Sequence, residues 1–139
     1  MGQVRDIMNK HVITISKDKM CLEAATLLQE KDISFLVVTE GQNPVGIISE
    51  SDFVRKLVVK NNIASSVIIS EIMSHRFRWV EPTTPIEDAV QKMLNNNIRR
   101  LLVLENEKLV GVITQTDLAS YLRSKLLIDE TIKSIGKDD

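Results

Sequence analysis

Two stretches of the 139-residue chain set a hydroxyl and a carboxylate three positions apart, Ser49 with Asp52 and Thr114 with Asp117. A carboxylate can accept two hydrogen bonds from the neighbouring hydroxyls of a sugar, and charge-assisted bonds of that kind are roughly twice as strong as neutral ones. Where it opens a helix, the free N–H groups and the positive end of the helix dipole favour a phosphate beside it. The same spacing is that of a capping box, in which the two side chains satisfy backbone donors and no ligand is needed. Both readings hold for an unliganded chain. A third feature, Arg99-Arg100, interrupts an apolar run. Adjacent strand residues point to opposite faces, so at least one guanidinium meets a packed surface or a cleft, and burial without a partner is costly. A phosphate, a carboxylate such as Glu105, or plain exposure at the strand entrance would each meet that demand. His11 and His75 lack cysteine or histidine neighbours at ligand spacing, so no metal site is expected. Nor does a nucleophile–base pair or a phosphate-cradling glycine loop appear, which speaks against an enzyme.

These residues recur because the chain repeats itself. Shifted by 65 positions, GIISESD from Gly46 to Asp52 falls on GVITQTD from Gly111 to Asp117, and the match extends without a gap to Ile7-Met8 on Ile72-Met73, Ala24 on Ala89, Leu36 on Leu101 and Val38 on Val103. Each unit reads as strand, helix, strand, strand, helix. Residues 12–15 and 77–80 are short strands. A helix over 85–97 puts Ile86, Ala89, Val90 and Met93 on one face, with Thr84 as hydroxyl cap, Pro85 at the first helical position and Glu87 reaching back. Its counterpart shows Cys21, Ala24, Ala25 and Leu28 behind a weak cap. The near-continuous apolar runs 34–39 and 98–104 suit strands buried on both faces, and turns at 41–44 and 106–108 close hairpins onto strands 45–49 and 109–114. Helices 50–60 and 115–127 follow, with Phe53, Val54 and Leu57, and Leu118, Leu122 and Leu126, facing inward. Val4, Ile7 and Met8 form the apolar side of a lead-in turn that Ile69, Ile72 and Met73 echo. The expected fold is α+β, two β-α-β-β-α repeats sharing one core: repeat 1 over residues 1–62, repeat 2 over 63–127, and a tail over 128–139 that either adds a helical turn through Ile132 and Ile135 or stays mobile.

Composition sets the surroundings. With 43% hydrophobic residues, 27% charged residues and a net charge of -1, no global field favours nucleic acid or an anionic membrane, and nucleic-acid binding through Arg76, Arg78, Arg99 and Arg100 is the weakest of the non-enzyme readings. The single cysteine, Cys21, excludes an internal disulfide and suits a cytoplasmic protein. No apolar run approaches the ~20 residues that span a bilayer.

The matched motifs, each set in the full element order with an Ile-Met pair opening the unit, resemble the tandem cystathionine-β-synthase (CBS) domain over residues 1 to about 126. The resemblance implies repeats related by a pseudo-twofold axis, with two clefts that bind adenosine-containing ligands such as AMP, ADP, ATP, S-adenosylmethionine or NAD. It implies ribose and phosphate contacts from Ser49 with Asp52 and from Thr114 with Asp117. The Asp117 cleft would be lined by Met8, His11, Ile13, Ile33, Ser34 and Phe35, and the Asp52 cleft by Met73, Arg76, Arg78, Ile98, Arg99 and Arg100. Basic residues entering the second strand often hold phosphates in this family; Arg99 and Arg100 stand there in the second repeat, whereas the first has Ser34 and Phe35. Because Arg76 and Arg78 fall where a flat apolar purine surface is wanted, the Asp117 cleft is expected to be the better nucleoside site, with Arg99 or Arg100 reaching the phosphate across the axis. No cofactor is required. The implied function is a regulatory module that senses an adenosine-type ligand and signals to a target protein in trans, as a homodimer paired through its helices; the alternative is a ligand-independent interaction or dimerisation module.

Overall fold

The computed structural model describes the backbone of residues 2–137 and the side chains of residues 2–127. The chain opens with a 3-10 turn over Val4–Asp6. In the first sheet β1 (Thr14–Ser16) runs parallel to β2 (Phe35–Glu40) after the crossover helix α1 (Cys21–Lys31), and β2 pairs antiparallel with β3 (Asn43–Ser49). Helix α2 (Glu50–Phe53) follows and continues as a π-helical stretch, Val54–Val58. A short helix α3 (Ile69–Ile72) leads into the second sheet. There β4 (Trp79–Val80), α4 (Ile86–Asn96), β5 (Arg100–Glu105) and β6 (Lys108–Thr114) repeat the pattern, and α5 (Gln115–Lys137) closes it. The fold is α+β with two three-stranded sheets of the same strand order.

The two-sided burial of the central strands follows from their period of two. Leu36 and Val38 of β2 pack with α1 in one core, and Leu101 and Val103 of β5 pack with α4 in another. Between them Val37, Leu102, Leu104 and Val112 turn the other way and form a third cluster with Phe35, Ile47 and Phe77, which joins the repeats. Val37 and Leu102 are fully buried there, each stabilising by roughly 1.5–3 kcal/mol.

The lead-in of each repeat completes the core of the other. Val4, Ile7 and Met8 pack beside Val80 and Ile86, while Val67, Ile69, Ile72 and Met73 pack beside Cys21 and Ala24. The same exchange caps the crossover helices. Cys21 N–H donates to the Val67 carbonyl (2.8 Å) and Ile86 N–H to the Gly2 carbonyl (3.1 Å). Pro85 therefore sits at the cap with extended backbone (φ -57°, ψ 141°) instead of at the first helical position, and no side chain caps α4. The Thr84 cap is thus replaced by a backbone carbonyl from the other end of the chain.

Three inward assignments change. Val54 is 57% exposed because a Val59 N–H to Val54 carbonyl bond (3.1 Å) spans five residues and rotates this turn, leaving Leu57 to fill the core. Leu122 and Leu126 are 48% and 63% exposed on α5, and of the three leucines assigned inward there Leu118 alone is buried. The backbone of α5 extends through most of the residues assigned to a tail; the side chains of Ile132 and Ile135 lie outside the described residues.

Candidate functional site

Each cleft forms where one repeat's lead-in crosses the other repeat's hairpin. Asn9 exchanges backbone hydrogen bonds with Val112 (2.9 and 3.0 Å), and Ser74 with Ile47 (2.8 and 3.0 Å). These bridges set residues 11–13 against the corner at Thr114 and Asp117, and residues 76–78 against the corner at Ser49 and Asp52. So close a crossing requires glycine. A Cβ on Gly46 would stand 2.8 Å from the Ser74 carbonyl oxygen, and one on Gly111 would stand 2.7 Å from Met8 Sδ and 3.0 Å from the Asn9 carbonyl oxygen. Met8 and Met73 lie over these glycines, packed with the cores, and so do not line the clefts as expected.

Both corners close as capping boxes. Asp117 Oδ2 accepts from Thr114 N–H (2.9 Å) and from Thr114 Oγ1 (2.9 Å), and Asp117 N–H donates to Thr114 Oγ1 (3.2 Å). Asp52 Oδ2 accepts from Ser49 N–H (2.8 Å) and Ser49 Oγ (3.2 Å). The second oxygen separates them. Asp52 Oδ1 is held by Lys56 Nζ at 3.1 Å, and the same ammonium donates to the Ile72 carbonyl at 3.0 Å. Tyr121 occupies the position equivalent to Lys56, and among the described residues Asp117 forms no ion pair. Asp52 is buried, 8% exposed, whereas Asp117 is half-buried.

The two clefts differ in size and charge. The Asp117 cleft, about 190 Å³, is lined by His11, Ile13, Ile33 and Phe35 of the first repeat together with Val112, Thr114, Thr116 and Asp117 of the second. The Asp52 cleft is about 590 Å³ and carries Arg55, Arg76, Arg78, Arg99 and Arg100 against two carboxylates, Glu50 and Asp52. At the equivalent positions the other cleft's repeat has Ser120, His11, Ile13, Ser34 and Phe35. Ser34 lines the Asp52 cleft, not the Asp117 cleft, and so do both Arg99 and Arg100. Arg100 stays on that side because its guanidinium lies over the Phe35 ring, 4.5 Å from the centroid, and Nη2 donates a long bond to Ser34 Oγ at 3.4 Å. Its pKa is lowered, first by burial and then by the charge of Arg99, with Asp52 and Glu50 acting in the opposite sense.

Lys56, Arg55, Glu50, Phe77, Val112 and Thr116 are among the site residues that motif reasoning missed. A signal existed for the first: Lys56 follows Asp52 by four positions, where helical side chains meet. Trp79 is half-exposed at the sheet edge and Tyr121 packs against the second core. Among the described residues no group of His, Cys, Asp or Glu could hold a metal ion, and no helix is long and apolar enough to cross a membrane.

The sequence matches the CBS domain family twice, over residues 4–59 and 69–124. An uncharacterized protein of Methanopyrus kandleri is 36% identical over 117 residues, covering 83% of this chain and 60% of that protein. A CBS domain-containing protein of Bacillus subtilis is 29% identical over 119 residues, covering 86% of this chain and 84% of its own. Among solved structures, the CBS domain pair of a protein in complex with 5′-methylthioadenosine and S-adenosyl-L-methionine superposes with a TM-score of 0.79 at 27% identity, over 89% of this chain and 98% of that one. Two family matches in register with two clefts built by exchanged lead-ins lead to one conclusion: the chain belongs to the CBS domain family, as a tandem CBS pair.

Proposed function

We propose that this CBS pair is a regulatory module that binds an adenosine-containing ligand in the Asp117 cleft and passes its occupancy to a target protein in trans. One observation carries this. Asp117 lines an apolar slot and spends only one carboxylate oxygen on its capping box, which leaves the other for the two hydroxyls of a ribose. Ile13, Ile33, Phe35 and Val112 supply the apolar walls a purine needs. His11 is the one potential cation among the residues lining this slot. That favours a phosphate-free derivative, of the 5′-methylthioadenosine or S-adenosylmethionine kind, over AMP, ADP, ATP or NAD. The partly exposed faces of the π-helical stretch after α2, with Val54 and Val58, and of α5, with Leu122 and Leu126, open to solvent, support a homodimer paired through these helices.

The alternative, a dimerisation module with no ligand, is favoured by the same capping boxes, since both corners are closed without one. Thermal unfolding separates the two. A ligand at about 100 times its Kd adds roughly 2.7 kcal/mol, a rise of several degrees for a domain of this size. A rise with one adenosine derivative supports the sensor, and no rise with any of them at millimolar concentration, from a chain that still dimerises, supports the ligand-free module.

A further inference from the structure

The Asp52 cleft has the shape of a family ligand site but the chemistry of a different one. Five arginines line it beside Glu50 and Asp52, and none of them forms an ion pair among the described residues. The chain's net charge is -1, so this local excess of arginine does not come from its overall composition. Five positive charges set against two carboxylates, one of which is already paired with Lys56, oppose one another, and a multivalent anion relieves the arrangement. The group that would read a ribose is already spent. Asp52 is 8% exposed, with Oδ2 on Ser49 and Oδ1 on Lys56 at 3.1 Å. Arg76 and Arg78 stand where the other cleft has His11 and Ile13. The cleft is about three times the volume of the Asp117 slot, about 590 against about 190 Å³.

We propose that the Asp52 cleft binds a chain of linked phosphates, as inorganic polyphosphate or as the phosphate end of a larger molecule, and does so without reading a nucleoside. Arg76 and Arg78 approach from the strand lead of the second repeat, Arg99 and Arg100 from the entrance of β5, and Arg55 from the turn after α2, so three segments grip one anion. Planar guanidinium forks suit phosphate oxygens two at a time. The proposal does not depend on the Asp117 slot taking an adenosine ligand.

Calorimetric titration at fixed ionic strength with tripolyphosphate, ATP, adenosine and a short single-stranded oligonucleotide tests it. Tripolyphosphate is expected to bind one site per chain, ATP to bind no tighter than tripolyphosphate, and adenosine not to displace it. Arg76→Gln and Arg99→Gln, both at exposed side chains, are expected to weaken tripolyphosphate by about tenfold each, while Arg123→Gln on α5 leaves it unchanged. Asp52→Asn is expected to leave tripolyphosphate binding intact or tighten it, and Asp117→Asn to leave it unchanged. ATP binding tenfold tighter than tripolyphosphate, displacement by adenosine, a preference for the oligonucleotide, or equal losses from Arg123→Gln and Arg99→Gln would overturn it.

Discussion

Replacing Gly46 by alanine tests the crossing that builds the clefts. The added Cβ would lie 2.8 Å from the Ser74 carbonyl oxygen, a backbone atom that cannot swing aside as a side chain would. Ordinary contact begins near 3.4 Å, so the strand carrying Ser74 must retreat by about 0.6 Å. That retreat stretches the paired Ile47–Ser74 bonds, now 2.8 and 3.0 Å, to the limit of useful hydrogen bonding. Overpacking of about 1–3 kcal/mol and the weakening of two bonds worth about 1 kcal/mol each give a loss of roughly 2–4 kcal/mol. For a chain of this length the midpoint of thermal unfolding should fall by roughly 8–15 °C. Gly41→Ala is the control. Gly41 has φ +63° with nothing within 4 Å of its Cβ position, so that change costs only the left-handed strain of about 1 kcal/mol. A Gly46→Ala midpoint within 2 °C or so of the parent, or a Gly41→Ala loss as large as that of Gly46→Ala, would refute the steric reasoning.

Lys56→Met removes the 3.1 Å pair with Asp52 and the 3.0 Å bond to Ile72; with Lys56 40% exposed the pair is worth less than a buried one, so the loss should be about 1–1.5 kcal/mol by denaturant unfolding, and no loss would mean the lysine is not held. Cys21 is fully buried and its thiol pKa is raised above the ordinary 9.0, first by burial and then by Glu71. The folded chain keeps this proton after the unfolded chain has lost it, so stability should fall as pH rises above 9.0. Cys21→Ala should flatten that limb of the pH–stability curve, and an unchanged slope would contradict the assignment. Glutamate at both Leu122 and Leu126, 48% and 63% exposed, should shift the proposed dimer to monomer in light scattering and remove the concentration dependence of the unfolding midpoint; a dimer that persists removes α5 from the interface.

Much of the fold was legible because the duplication tests every assignment twice. Leu36 and Leu101, or Gly46 and Gly111, support one another at a fixed offset of 65, and the apolar runs fixed β2 and β5 as strands covered on both sides. What escaped was contact between segments far apart in sequence. The caps of α1 and α4 come from Val67 and Gly2, which no local capping rule can find. Met8 and Met73 matched the family's lining positions, yet the glycines beneath them draw both side chains into the packing. Arg99 and Arg100 are phosphate candidates by motif, but both line the Asp52 cleft, and the contacts of Arg100 with Phe35 and Ser34 that hold it there are a property of the assembled pair. Outward residues on α5 could not be separated from inward ones by period alone, since Leu118, Leu122 and Leu126 share a helical face and only Leu118 has the core beneath it.

The most direct test of the proposed function is a calorimetric titration of 5′-methylthioadenosine into the parent chain, Asp117→Asn and Asp52→Asn. Both substitutions keep an acceptor for the capping box and remove the charge. One site per chain is expected, weakened about tenfold or more by Asp117→Asn and within about threefold of the parent in Asp52→Asn. Binding that survives Asp117→Asn and is lost in Asp52→Asn would place the nucleoside in the other cleft and contradict both assignments.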